Sequence, residues 1–299
     1  MSQTVLGCNN VSHWFGTKRV LNNVNLEIAA GQILAVVGPS GCGKSTLLRA
    51  ILGTHPPKAG EITANGVPVT KPNRNVGIVY QNYSLYDFLT ARDNVAFGLM
   101  LDQTSLSRRV FQYFHWRQLR EEQRAQATEL LDKVNLGHAI NLFPHEMSGG
   151  MRQRVAIAQA LIMKPKILLL DEPFGALDEA TREELQVMLL QLYQENIDAR
   201  SVGKTPPHTI LMVTHELNEA LYVSDRIIGL SQYHSEGANG ATVVYDKPAP
   251  VFRPNDPRDF EQFEGQKDEL RTAVFDPEIN QHHSDYVSFW KDHSKHAES

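Results

Sequence analysis

Three short apolar, β-branched runs punctuate the chain, and each ends in polar chemistry. Ile33–Gly38 (ILAVVG) ends in glycine, Ile167–Pro173 (ILLLDEP) runs into two carboxylates, and Thr209–Glu216 (TILMVTHE) reaches His215. Continuous apolar runs of this length suit strands buried on both faces of a parallel sheet. Helical periodicity separates them, at Lys44–Gly53, Gly149–Met163 and Leu177–Asn196. This alternation predicts an α/β core. Open α/β sheets bind ligands at the C-terminal ends of their strands, which is where these runs place their polar residues.

The middle of the chain follows a different pattern. Leu89–Leu136 contains no convincing strand and predicts a helical subdomain inserted into the sheet core. His234–Gly240 and the Pro-rich Lys247–Pro257 predict loops, and the residues beyond them predict weak structure. The organisation expected is a core of residues 1–88 and 157–232, a helical subdomain of 89–156, and a loop-rich, acidic extension of 233–299.

Composition narrows the setting. The net charge of −5 argues against a general nucleic-acid binder. Residues Asn255–Ser299 carry eleven acidic residues and five Lys or Arg, so the acidic excess lies in the tail, which reads as a solvated segment. No apolar run approaches the roughly 18–20 residues that span a bilayer, and no export signal is visible at the N-terminus. Two cysteines, Cys8 and Cys42, make no disulfide framework. A cytosolic protein is the simplest expectation.

Gly38–Thr46 (GPSGCGKST) has a glycine, four residues, then Gly43-Lys44-Ser45, the spacing of a phosphate-binding loop. Glycines let the backbone of Gly38, Pro39, Ser40, Gly41, Cys42 and Gly43 curl so that amides point at one anion, and the following helix adds its positive end. Lys44 can reach β- and γ-phosphate oxygens, Ser45 can hold Mg²⁺, and Thr46 continues the helix start. Cys42 occupies a variable position as a small side chain. The amides and Lys44 around it would lower its thiol pKa, so an alkylator is expected to inhibit and nucleotide to protect.

Asp171 and Glu172 follow an apolar strand, where neighbouring side chains point to opposite sides. Asp171 is positioned to reach a metal and Glu172 the attacking water. His215 is expected to contact the γ-phosphate. Gln81 precedes the helical region and can touch Mg²⁺ or that water. Phe15 can stack on an adenine ring, with core packing as the alternative and Trp14 as the neighbouring candidate.

Gly38–Ser45, Gln81, Ser148-Gly149-Gly150, Asp171-Glu172, Gly175-Ala176-Leu177-Asp178 and His215 occur in the order found in ATP-binding-cassette ATPases. The resemblance covers Val5–Leu230, about three quarters of the chain. It implies an α/β, P-loop NTPase (RecA-like) core with an inserted helical subdomain and an N-terminal antiparallel β region. It further implies ATP and Mg²⁺ as cofactors, and a head-to-tail pair of cassettes in which Ser148, Gly149 and Gly150 bind the ATP held by the other subunit. Asp178 resembles the residue that crosses the interface to couple the two sites. Where the family usually has Leu-Ser-Gly-Gly-Gln, this chain has Met147-Ser148-Gly149-Gly150-Met151, so the amide at position 151 is lost.

LDEPFGALDEATREEL and MVTHELNEALYVSDRI look like the importer ATPases for nitrate, sulfonates and taurine, and GATVVYDKPAP resembles a subset suggested to handle urea-like or guanidine-like solutes. The resemblance implies an ATPase subunit on the cytoplasmic side of the inner membrane, with separate permease subunits and a periplasmic or extracellular solute-binding protein; with every motif intact in one chain a homodimer is expected, and a heterodimer with a similar cassette stays open. The alternatives are an exporter or lipid-transport ATPase, or a soluble cassette acting on DNA or ribosomes. Ser105–Gln126 reads as longer than the family's usual segment and mixes Arg108, Arg109, Arg117 and Arg120 with Phe111, Tyr113, Phe114 and Trp116. It can pack locally, contact the permease, or lie on lipid. His282, His283, His293 and His296 read as solvated.

Overall fold

A computed structural model describes residues 3–103, 113–175, 177–232, 239–254, 256 and 263–275. The N-terminal strands β1 (Thr4–Phe15) and β2 (Lys18–Ala29) form an antiparallel hairpin that pairs on with β4 (Ala59–Ala64) and β5 (Val67–Pro68). A second sheet starts at an edge strand, β10 (Thr242–Pro248), and has the order β10-β9-β3-β8-β7-β6. Its parallel members are β3 (Ile33–Val37), β6 (Val76–Val79), β7 (Ile167–Asp171), β8 (Ile210–Thr214) and β9 (Arg226–Ser231). The three apolar runs are its central strands β3, β8 and β7.

Strand alternation divides the core in two. Ile33, Ala35 and Val37 of β3 face one apolar cluster, shared with the helical subdomain. Leu34 and Val36 face the other, shared with α1 (Lys44–Leu52) and the antiparallel sheet. Both faces of β3 are therefore dry, which is why its sequence shows no polar alternation.

The helical subdomain comprises α2 (Ala91–Gln103), α3 (Tyr113–Lys133) and the start of α4 (Gly149–Leu161). Buried Asn94 fastens its entry, accepting from the Tyr86 amide at 2.8 Å and donating to the carbonyls of Tyr86, Leu89 and Thr90. Because α4 is continuous from Gly149 to Leu161, a boundary between residues 156 and 157 falls within one helix. Arg108, Arg109 and Phe111 of the basic-aromatic insert lie outside the described residues, as does Ala176.

The region after Leu230 contains more order than its composition suggests. β10 (Thr242–Pro248) adds antiparallel to β9 as the sheet edge, and α7 (Glu264–Phe275) packs over that pair. Lys247 and Pro248, which read as loop, belong to this strand. Edge strands tolerate Lys and Pro because one side of their backbone is unpaired, so local composition resembled a turn. Gly229 lets the pieces close: a Cβ there would collide with Val274 of α7 and crowd Tyr245 of β10. The four tail histidines lie outside the described residues.

Candidate functional site

The phosphate loop leaves β3 at Gly38 and enters α1 at Lys44. Gly41 and Gly43 have φ of 76° and 106°, values that L side chains rarely adopt. A Cβ at Gly38 would strike the Leu230 carbonyl oxygen of β9. The Lys44 ammonium donates to the carbonyls of Gly38 at 2.7 Å and Pro39 at 2.9 Å, which fixes its charge over the loop. Gly43 caps α1 without a side-chain acceptor for the first-turn amides, and Gly41 and Ser45 lie on the exposed rim. Curled amides, a helix N-terminus and a fixed cation make an anion cradle.

Asp171 ends β7 on the side of α1, and Ser45 Oγ lies 3.5 Å from its Oδ1. Burial, then the neighbouring Glu172 charge, push the Asp171 carboxyl above its usual range, against the Ser45 hydrogen bond. A hydroxyl and a carboxylate facing each other here are hard oxygen donors of the kind Mg²⁺ takes together with phosphate oxygens. No group of three or more His, Cys, Asp or Glu able to hold a metal occurs among the described residues, so a cation here would rely on other ligands as well.

Glu172 turns the other way. Its φ of 47° places it in the left-handed region, an uncommon conformation for this residue type and one seen where function holds strain. Its amide still donates to Val213 of β8 at 2.9 Å, so the turn begins inside the sheet register. The turn brings its carboxylate 3.5 Å from His215 Nδ1 at the end of β8. Gln81, after β6, joins the same group: a Cβ built on Gly175 would sit 3.4 Å from Gln81 Nε2 and 3.6 Å from Glu172 Oε2.

Two further predicted residues act as helix caps. Ser148 Oγ accepts from the Met151 amide at 3.2 Å at the start of α4. Asp178 accepts from the Thr181 amide at 3.1 Å at the start of α5 (Glu179–Ser201), and that bond holds its carboxyl below the usual range. The helices meet closely: Gly149 lies against Leu177, and a Cβ at Gly150 would overlap the Thr181 methyl. Tyr83, two residues past Gln81, approaches Gly149 through its hydroxyl and lies under the Arg152 guanidinium at 5.3 Å. Phe15 is 49% exposed at the tip of the β1–β2 hairpin, its ring edge-on to His13. Trp14 instead lies under Arg19. Val20 of the same hairpin abuts Gly43.

Cys42 departs from expectation. Its side chain is 1% exposed, and burial drives its thiol pKa up, outweighing the lowering by Lys44 and the loop amides. The loop turns this side chain inward, into the apolar cluster beneath α1, so a reactive thiolate is not what the loop holds.

Thr214, Arg182 and Glu219 carried no signal in the sequence. Glu219 lies in α6 (Leu217–Val223) and is 6% exposed, with Thr214 donating to it at 3.1 Å. Only a fold that buries both could single out this carboxylate. A cavity of about 580 Å³ also borders His215, between α6 and Lys267 and Arg271 of α7.

Residues 21–175 match the family described as ABC transporter. The chain is 41% identical over 247 residues to the sulfate/thiosulfate import ATP-binding protein CysA of Yersinia pseudotuberculosis, covering 82% of this chain and 62% of that protein. It thus spans under two thirds of that relative's length. It is 41% identical to the CysA of Pseudomonas aeruginosa, covering 81% of this chain and 69% of the relative. Among solved structures, it is similar to a dimeric post-hydrolysis state of the ATP-binding cassette MJ0796 bound to ADP and Pi, with a TM-score of 0.62, 30% identity, and coverage of 83% and 100%. It shares its fold with cbiO1 from Clostridium perfringens, with a TM-score of 0.65, 22% identity, and coverage of 93% and 97%.

Proposed function

Since this chain belongs to the ABC transporter family, we propose that it is the ATP-hydrolysing subunit of an importer for a small solute. The observation that carries this reading is the convergence of four polar groups at three adjacent strand ends. Ser45 and Asp171 lie on one side of β7, and Glu172 and His215 on the other.

In this reading the loop amides and Lys44 grip the phosphates. Ser45 and Asp171 would hold Mg²⁺, which would supply neutralisation of phosphate charge. Glu172 orients the attacking water, and His215 holds the Glu172 carboxylate and contacts the γ-phosphate. Gln81 touches the same water or the cation, and Phe15 offers its exposed face to the base. Phosphoryl transfer asks the protein mainly for positioning and charge stabilisation, and these groups supply both.

The Ser148-Gly149-Gly150 turn has no acid or base of its own. It presents a hydroxyl and the N-terminal amides of α4, a second anion site. We assign it to the nucleotide of a second copy, with Asp178 at the same face. For contact with partners in the membrane, this reading offers Phe88, which is 72% exposed and packs on Tyr86. No described helix is long and apolar enough to cross a membrane, so the transport path would belong to separate permease subunits, with this chain peripheral on the cytoplasmic side and a solute-binding protein outside. The names of its relatives favour a sulfur oxyanion, close to the sulfonate class that the sequence resembles.

The test is to purify the chain together with its membrane partners and measure ATP turnover in vesicles with and without a panel of sulfate, thiosulfate, taurine, nitrate and urea. Stimulation by external solute and a binding protein supports the reading. Turnover that ignores solute and is stimulated by DNA or ribosomes points to a soluble cassette. Outward movement of solute or lipid points to an exporter.

A further inference from the structure

Between His215 and Asp178 runs a continuous chain of polar contacts built from residues outside the nucleotide site. The Glu216 amide donates to Thr214 Oγ1 at 3.0 Å, which secures the turn carrying His215 between them. The same hydroxyl donates to Glu219 Oε2 at 3.1 Å. The other carboxylate oxygen, Glu219 Oε1, lies 3.4 Å from Arg182 Nε. Arg182 Nη2 donates to the Leu177 carbonyl at 3.3 Å, and Leu177 immediately precedes Asp178. Leu177 also lies against Gly149, so the far end of the chain reaches the Ser148 turn.

A carboxylate only 6% exposed is expensive to keep, and a hydrophobic residue would pack there more cheaply. Burial indeed pushes its pKa up to about 7, with the Thr214 hydrogen bond and the Arg182 charge acting against that rise. Each partner also depends on it. Thr214 is 2% exposed, so without Glu219 its donor is left unmade. Arg182 would lose the ion pair beside its tie to Leu177.

We propose that Glu219 is a positioning residue that couples the His215 turn to the Leu177–Asp178 segment through Thr214 and Arg182. The inference rests on the functional reading above, in which His215 meets the γ-phosphate of one nucleotide and Asp178 lies at the face shared with the second copy. Movement of the His215 turn on loss of phosphate would pull Leu177 through two hydrogen bonds and one ion pair. The two sites of a dimer would thereby be informed of each other's state.

The experiment compares the full-length wild type with Glu219→Gln, Arg182→Met and the double variant, measuring kcat, KM for ATP, and the Hill coefficient for ATP. Coupling elements typically change function by about two- to thirtyfold. Each single variant should lower kcat within that range and bring the Hill coefficient toward one, with KM little changed. The double variant should be no worse than the weaker single one, the signature of residues acting as a unit. Thermal melts accompany each variant, and if Glu219→Gln fails to fold, Arg182→Met carries the test because its side chain is 40% exposed. Unchanged kcat and Hill coefficient, or strictly multiplicative losses, would overturn the coupling alone. A wild type that does not turn over ATP would overturn the functional reading and the coupling with it.

Discussion

His215 Nδ1 lies 3.5 Å from Glu172 Oε1 across the ends of two neighbouring parallel strands, β8 and β7. The contact depends on the left-handed backbone at Glu172, which turns its carboxylate away from Asp171 and toward the imidazole. One strand end thus presents a carboxylate toward Ser45 and a second one toward His215, the pair to which the proposed function gives the cation and the attacking water.

Removing either partner should therefore spare binding and remove turnover. Glu172→Gln and His215→Ala are each expected to lower kcat by about 10²- to 10⁴-fold, the range for a positioned acid–base group. ATP affinity, set by the loop and Lys44, should remain close to wild type by equilibrium titration. A variant that loses affinity and keeps kcat would contradict the assignment.

Cys42 should resist thiol reagents in the native protein, since it is buried and its pKa is raised. Cys8 is buried too, with its thiol pushed up to about 12. Thiol counting should find both groups slow to react until denaturant is added, with ATP making little difference. Rapid stoichiometric labelling of Cys42 with loss of activity would show that the loop opens far more than this packing allows.

Gly150 is held by sterics. A Cβ there overlaps the Thr181 methyl at the junction of α4 and α5. Gly150→Ala should destabilise the protein by about 1–3 kcal/mol, as overpacked sites do. Adding Thr181→Ser, which deletes that methyl, should recover much of the loss in a thermal melt. Equal melting of Gly150→Ala and wild type would place the helices further apart.

Glu219 makes stability depend on pH with a definite sign. Its folded pKa of about 7 lies above the ordinary 4.5, so the folded state holds the proton more tightly than the unfolded one. That contribution is fully present below about pH 4.5 and is lost as pH rises through about 7. The groups facing the carboxyl are Thr214 and Arg182, which lower its pKa, Glu216, which raises it, and His215, which lowers it. The amide of Glu219→Gln does not titrate. The difference in thermal midpoint between this variant and wild type should move in the variant's favour from about pH 5 to about pH 8. A pH-independent difference would mean the carboxyl is not desolvated in the folded protein.

Much of the architecture was legible in the chain itself. Continuous apolar runs identified β3, β7 and β8 within a residue or two, because strands buried on both faces need no polar alternation. The glycine spacing of Gly38–Gly43 and the carboxylates at Asp171 and Glu172 were legible because local turn chemistry and residue type are properties of the sequence. β10 and α7 were less legible. An edge strand carrying Lys247 and Pro248 has the composition of a loop, and only its pairing with β9 distinguishes the two.

Burial, however, belongs to the neighbours a residue acquires. The sequence places Cys42 beside Lys44 and a set of amides, which favour a thiolate, yet the fold turns its sulfur into an apolar cluster, where desolvation is the stronger effect. The same holds for Glu219, whose partner Arg182 comes from another helix. The linear chain by itself determined which chemical groups stand at the strand ends. The tertiary structure alone decided which of them lose water and which distant partner each one meets, because solvation and contact depend on everything packed around a group.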